Sequence, residues 1–125
     1  MSQEITVSYG LAVRKGSLSH TVPQASLKVD MTGNRMISNV QNIPSASGSG
    51  LNMAGAAWTP GYAIFVNLST TSGEYIDVGV MPSSTFYPIS RIYPSQISIM
   101  PLQTLSIFAQ AGSGTPALDF TVIEY

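Results

Sequence analysis

Residues able to do acid–base or nucleophilic chemistry are few in this chain. Among 125 residues there is one histidine, six carboxylates and no cysteine. As a general base, His20 would need a carboxylate to orient it and a hydroxyl to activate, both delivered by the fold. It lies in Leu18-Ser19-His20-Thr21-Val22, and no Gly-x-Ser-x-Gly elbow occurs, so it reads as an ordinary strand-end histidine. Glycoside hydrolysis would need two carboxylates flanking one sugar bond. Glu74 and Asp77, and again Asp119 and Glu124, are separated by odd spacings, which on a strand send the two side chains to opposite faces. Glu4 and Asp30 have no near partner in sequence. One histidine without cysteine excludes the usual protein zinc site, and no Asp-rich loop has calcium-binding spacing. Gly48-Ser49-Gly50 and Gly112-Ser113-Gly114 lack the Gly-Lys-Ser/Thr of a phosphate loop and read as turns. The expectation is a protein with no catalytic residues, no metal and no cofactor.

The elements that would position such groups are short strands. Ile5 to Val13 alternates strictly, with Ile5, Val7, Tyr9, Leu11 and Val13 on one face and Thr6, Ser8, Gly10 and Ala12 on the other. The second face is small and weakly polar, as if suited to lie against a neighbour. Leu27, Val29 and Met31 alternate with Lys28 and Asp30, and Thr32-Gly33-Asn34-Arg35 then leads into Met36 to Val40. Gly-Asn tolerates positive φ, so this reads as a hairpin. Pro44 to Gly50 has nothing to anchor to a core and reads as a flexible surface loop. Tyr62 to Leu68 is almost continuously apolar, the pattern of a strand buried on both faces, with Tyr75 to Val80 as its antiparallel partner.

Phe86 to Tyr93 contains Pro88 and precedes Pro94, which makes it an edge or broken strand. Ile97 to Met100, Leu105 to Ala109 and Leu118 to Tyr125 complete about eight or nine strands with turn signals every 8–12 residues. The fold class is therefore all-β: an antiparallel two-sheet β-sandwich, best matched by a jelly roll of about eight strands. An immunoglobulin-like sandwich is the second choice, without its cysteine pair. The chain reads as one domain, 1–125, with residues 1–4 as a flexible arm ordered only against a partner.

Charged residues are 9% of the chain, against about 25% in an ordinary soluble domain. The net charge is -1, and the five cations Arg14, Lys15, Lys28, Arg35 and Arg91 are scattered. No basic stripe exists to neutralise phosphates, so nucleic acid is not an expected partner. The first residues are neither basic nor apolar enough for a secretory signal, and no apolar stretch approaches the ~20 residues of a membrane helix. Synthesis in a cytoplasm, with no membrane partner, is expected. Ser and Thr supply roughly a fifth of the residues and most of the hydration. A surface so poor in charge suits a module covered by partners, and equally a β-sandwich that is simply rich in Ser and Thr.

Aromatic residues carry the better binding signal, because their rings pack while their polar tips need a partner. Trp58 lies in a small-residue loop before the apolar Tyr62 strand. It either caps one end of the sandwich or anchors a partner. Tyr87 and Tyr93 flank a proline-interrupted segment with Arg91 between them. The candidate partner-binding residues are Trp58, Tyr87, Arg91, Tyr93 and, in the N-terminal arm, Glu4.

Several stretches taken together carry a family likeness. They are Leu27-Lys28-Val29-Asp30-Met31, Gly61 to Leu68, Glu74-Tyr75-Ile76-Asp77-Val78-Gly79, Phe86-Tyr87-Pro88-Ile89 and Phe120 to Tyr125. In this order the chain resembles small virion proteins of tailed bacteriophages, particularly jelly-roll capsid decoration, or cement, proteins. The likeness spans most of the chain, and Tyr62 to Leu68 followed by Tyr75 to Gly79 is its most specific piece. It implies a non-enzymatic protein made in the host cytoplasm and carried on the capsid surface of the virion. Its partners would be the major capsid protein and itself, as a dimer or trimer. A tail or fibre component, or a carbohydrate-binding adhesin domain, is the alternative that the aromatics keep open.

Overall fold

A computed structural model describes residues 3–125. The chain divides into two compact units, one ending at Thr32 and the other spanning Gly33–Tyr125, where the sequence reads as one domain.

The first unit is a β-hairpin. Strands β1 (Ile5–Lys15) and β2 (Leu18–Val29) pair antiparallel along their length. They are joined through Gly16 and Ser17. Gly16 has φ 57° and Ser17 stays out of the left-handed region, the pattern of a type II′ turn, which places glycine first. Tyr9 faces Ala25 and Leu11 faces Val22, so Gly10 stands opposite both Pro23 and Gln24. This bulge accommodates a proline that has no amide to give to the ladder. A Cβ on Gly10 would come within 2.9 Å of the Gln24 side chain, so glycine lets the strands close there.

Directly opposed residues share a face of a ladder. One face of the hairpin carries Val7 with Leu27, Tyr9 with Ala25, Leu11 with Val22 and Val13 with His20. The other carries Thr6 with Lys28, Ser8 with Ser26, Ala12 with Thr21 and Arg14 with Ser19.

The second unit is a β-sandwich. Its strands are β3 (Met36–Asn42), β4 (Ser49–Gly50), β5 (Pro60–Asn67), β6 (Ile76–Val80), β7 (Tyr87–Ile92), β8 (Ile97–Pro101), β9 (Phe108–Ala111) and β10 (Ala117–Glu124). They form two four-stranded sheets, ordered β3-β10-β5-β8 and β4-β9-β6-β7, with every pairing antiparallel. Period-two alternation sends Ala63, Phe65, Leu118, Phe120 and Val122 of the first sheet inward. Ile76, Val78, Ile92, Ala109 and Ala111 of the second meet them in one core.

The outward side of the first sheet is also apolar. Its ladder rows run Val40–Asp119–Val66–Ile97 and Ser38–Thr121–Ile64–Ile99, with Met36 opposite Ile123 and Tyr62 opposite Pro101 at one end. Ser38 Oγ and Thr121 Oγ1 lie 3.1 Å apart and satisfy each other. Asp119 is the one charge in these rows. The outward side of the second sheet is more polar, with Asp77 between Arg91 and Gln110.

The all-β sandwich expected from the sequence is what forms, and its details correct several expectations. Residues 27–40 make no hairpin, because β2 pairs with β1 and β3 pairs with β10. Gly33 to Arg35 instead receives the Glu124 carboxylate. Tyr62 to Asn67 is buried on one face only; Tyr62, Ile64 and Val66 are half-buried on the outward face. Its neighbours β10 and β8 occupy both its edges, so Ile76–Val80 joins the opposite sheet and is not its partner. Pro44 to Gly50 is tied in: the Pro44 carbonyl accepts from Ala111 N at 3.0 Å, and Ser49–Gly50 pairs with β9. Of the proposed arm 1–4, Met1 and Ser2 lie outside the described residues. Gln3 and Glu4 clasp the open end of the hairpin: Gln3 N donates to Asp30 Oδ1 at 2.8 Å and Met31 N to Glu4 Oε2 at 3.0 Å.

Candidate functional site

Strand β7 is an edge strand of its sheet, as Pro88 within it requires. Ser90 pairs with Val78 and Pro88 with Gly79, which leaves Ile89 as an extra, bulged residue. Gly79 makes this possible, since a Cβ there would strike the Tyr87 carbonyl oxygen and crowd Pro88. The bulge turns Ile89 outward to 69% exposure, beside Tyr87 at 54% and near Tyr93 at 50%. Three large apolar or aromatic side chains thus stand in solvent along one edge.

Behind this edge lies a fixed aromatic–cationic cluster. Arg91 lies across the ladder from Asp77 and grips it with two hydrogen bonds, Nε to Oδ1 at 2.8 Å and Nη2 to Oδ2 at 3.0 Å. Its guanidinium stacks 3.8 Å from the Tyr75 ring centroid. Tyr75 meets Tyr93 edge to face, with centroids 6.3 Å apart. The Asp77 hydrogen bond raises the Arg91 pKa above its ordinary value against the opposing effect of burial, with Tyr93 and Tyr75 adding to the rise.

Asn67, fully buried at the end of β5, sets the spacing of the two tyrosines. Its Nδ2 donates to the carbonyls of Glu74 and Ile92, each at 2.9 Å, and its Oδ1 accepts from Ser69 N at 3.0 Å. The residues gripped immediately precede Tyr75 and Tyr93. After Tyr93 the chain turns through Pro94 and Ser95, with Ser95 at φ 64° and Gln96 N donating back to the Tyr93 carbonyl at 3.0 Å. A side chain at Gly112 would overlap the Tyr75 ring, so glycine there lets the tyrosine lie flat.

The other candidates lie elsewhere. Trp58 is half-buried and packs against the core, with Arg35 Cζ 5.9 Å from its ring. It lines a shallow recess of about 600 Å³ with Arg35, Met36 and Met53. Arg35 is held by Glu124 through Nη2–Oε1 at 2.6 Å and Nε–Oε2 at 3.0 Å, and Oε2 also accepts from the amides of Asn34 and Arg35. Glu4 belongs to the hairpin clasp. His20 faces Val13 on the hairpin.

No protein-family model matches this chain, and comparisons with curated proteins and with solved structures find no match.

Of the candidates, the structure groups Tyr87, Arg91 and Tyr93 on one edge and separates Trp58 and Glu4 from them. The sequence pointed to Arg91 as a contact residue; its charge is already taken by Asp77. Sequence reasoning missed Ile89, whose outward turn depends on the ladder slip at Gly79, and Asn67, whose signal is a polar residue closing an apolar run. Among the described residues no group of three His, Asp or Glu side chains is placed to hold a metal ion. What the edge offers is surface for contact: rings, one bulged isoleucine and a strand margin.

Proposed function

We propose that the chain is a non-enzymatic structural protein that binds the outside of a bacteriophage capsid. In this reading it bridges neighbouring major capsid subunits and holds the shell against the pressure of packaged DNA. The observation that carries it is the open β7 edge, where Tyr87, Ile89 and Tyr93 are exposed together on a rigid sandwich. Exposed aromatic anchors grouped this way mark contact surfaces. The strand orders support reading the sandwich as a jelly roll. Eight strands fill two four-stranded sheets, and successive strands alternate between the sheets except at β6–β7. A weak contact suffices for the role, because a closed shell repeats it and multiplies the effect.

Cryo-electron microscopy of particles from the virus that encodes the chain tests this reading. Copies spread over the shell with β7 against capsid subunits are expected, and Tyr87→Ala should lower their occupancy while the isolated protein stays folded. Density at the tail alone, or none on the particle, would overturn the capsid assignment. The Tyr75–Arg91–Tyr93 cluster favours a carbohydrate-binding virion module as the second reading, since stacked rings beside a charged pair suit a sugar face. Glycan-array binding lost in Tyr93→Ala would support it.

A further inference from the structure

Three residues carry the chain from the hairpin unit into the sandwich, and one carboxylate holds them. Gly33, Asn34 and Arg35 follow the last residue of the first unit and precede β3. Glu124, at the end of β10, takes four donors from this segment. Its Oε2 accepts from Asn34 N at 3.0 Å, Arg35 N at 2.9 Å and Arg35 Nε at 3.0 Å, and its Oε1 accepts from Arg35 Nη2 at 2.6 Å. Two backbone bonds complete the hold: Gly33 N donates to the Tyr125 carbonyl at 3.1 Å, and Glu124 N to the Arg35 carbonyl at 2.9 Å.

None of the three side chains enters the core, which β3 joins at Ile37. The ladder from Met36 to Asn42 has its own pairing with β10 and does not depend on the carboxylate. Hydrogen bonds to an ionised acceptor are the strong kind, yet here four of them share one acceptor group. They are therefore made and lost together. Gly33 shows that the segment is fitted to the carboxylate. A Cβ there would overlap the Glu124 side chain, and Gly33 is not among the glycines with positive φ. Space, not backbone freedom, calls for glycine at this position.

We infer that Gly33, Asn34 and Arg35 form a latch with two states. Closed on Glu124, the three residues belong to the sandwich. Open, they pass to the chain that joins the two units, while hairpin and sandwich both stay folded. A segment with few apolar contacts opens at less free energy than the core strands beside it. On the hairpin side, Asp30 accepts from Gln3 N and Met31 N donates to Glu4. With the latch closed, Thr32 is the one residue between these bonds and those of Gly33. Opening adds three residues to that stretch, up to about 10 Å of extended chain. One side chain thus sets the length of the tether. The latch needs no partner and is independent of the capsid reading.

The test is amide hydrogen exchange of the full-length chain, read residue by residue by NMR at low, non-denaturing urea. Asn34 and Arg35 should be protected in the native protein and should exchange at rates nearly independent of urea, because opening three residues exposes little surface. Phe120 and Val122, in the central strand β10, should exchange more slowly and with a steep dependence on urea. Glu124→Gln should lower the protection of Asn34 and Arg35 by about tenfold or more, since their acceptor is no longer charged. Phe120 and Val122 should stay strongly protected, and backbone relaxation should show nanosecond motion that stops at Ile37. Gly33→Ala, which attacks the latch from the other side, should do the same. Native Asn34 and Arg35 amides without protection would mean that the latch does not close. Urea dependence equal to that of Phe120, or a Glu124→Gln chain whose sandwich unfolds, would mean that it does not open by itself. Either result overturns the inference.

Discussion

Arg91 and Asp77 face each other across the β6–β7 ladder, and the arginine closes on both carboxylate oxygens. The pair therefore acts inside the sheet, even though it lies at its surface. Removing the arginine leaves a buried carboxylate without its counter-charge and Tyr75 without its stacked cation. Arg91→Ala should lower the thermal midpoint clearly, whereas Tyr87→Ala on the same strand should leave it nearly unchanged. Differential scanning fluorimetry of the two variants separates them; equal midpoints would show that the pair does not hold the sheet.

Acid should weaken the sandwich through Glu124. Its carboxyl is held below the ordinary range, first by the Arg35 side-chain hydrogen bond and further by the Arg35 and Asn34 amides, with burial opposing. The unfolded chain takes up this proton near pH 4.3, roughly the free glutamate value, while the folded chain resists until lower pH. The stabilisation is therefore complete above that pH and is lost as pH falls through the folded pKa. Melting curves from about pH 6 to pH 3 should show a steeper fall for the native chain than for Glu124→Gln, which starts lower and changes less. Parallel curves would remove Glu124 from this role.

Asn67 holds three backbone groups with one side chain, and all three lose their partner in Asn67→Ala. A buried polar group left unpaired costs about 1–3 kcal/mol, and partial hydration of the loop end brings the expected total to roughly 2–4 kcal/mol. Urea denaturation measures this directly. Asn67→Asp should be no better, since it points a carboxylate at two carbonyl oxygens. A loss below about 1 kcal/mol would mean that the clamp is not needed.

Much of the strand pattern was legible, because alternation is a local property. Ile5 to Val13 lies within β1, Phe86 to Tyr93 covers the β7 edge strand, and all but the last residue of Leu118 to Tyr125 lies in β10. What was not legible depends on partners far along the chain. Gly33 and Asn34 have turn-forming chemistry, yet the glycine makes room for Glu124, whose carboxylate a Cβ would overlap. Tyr62, Ile64 and Val66 are as apolar as core residues, and nothing local tells an inward face from an outward one that is also apolar. The same holds at the candidate site. The exposed Tyr87 and Tyr93 that bracket β7 could be read from their neighbouring prolines. That Arg91 is bound to Asp77 depends on a register set by the slip at Gly79.

The bulge at Pro23 bears on how copies of this chain grow into larger bodies. A long, flat ribbon margin invites further strands to add edge to edge, the route to fibres. Here β2 is bulged near its middle, where its register against β1 shifts opposite Gly10, and a bulge bends and twists a strand margin. An added strand would lose its place after a few residues. Growth along the margin of β2 is thereby disfavoured.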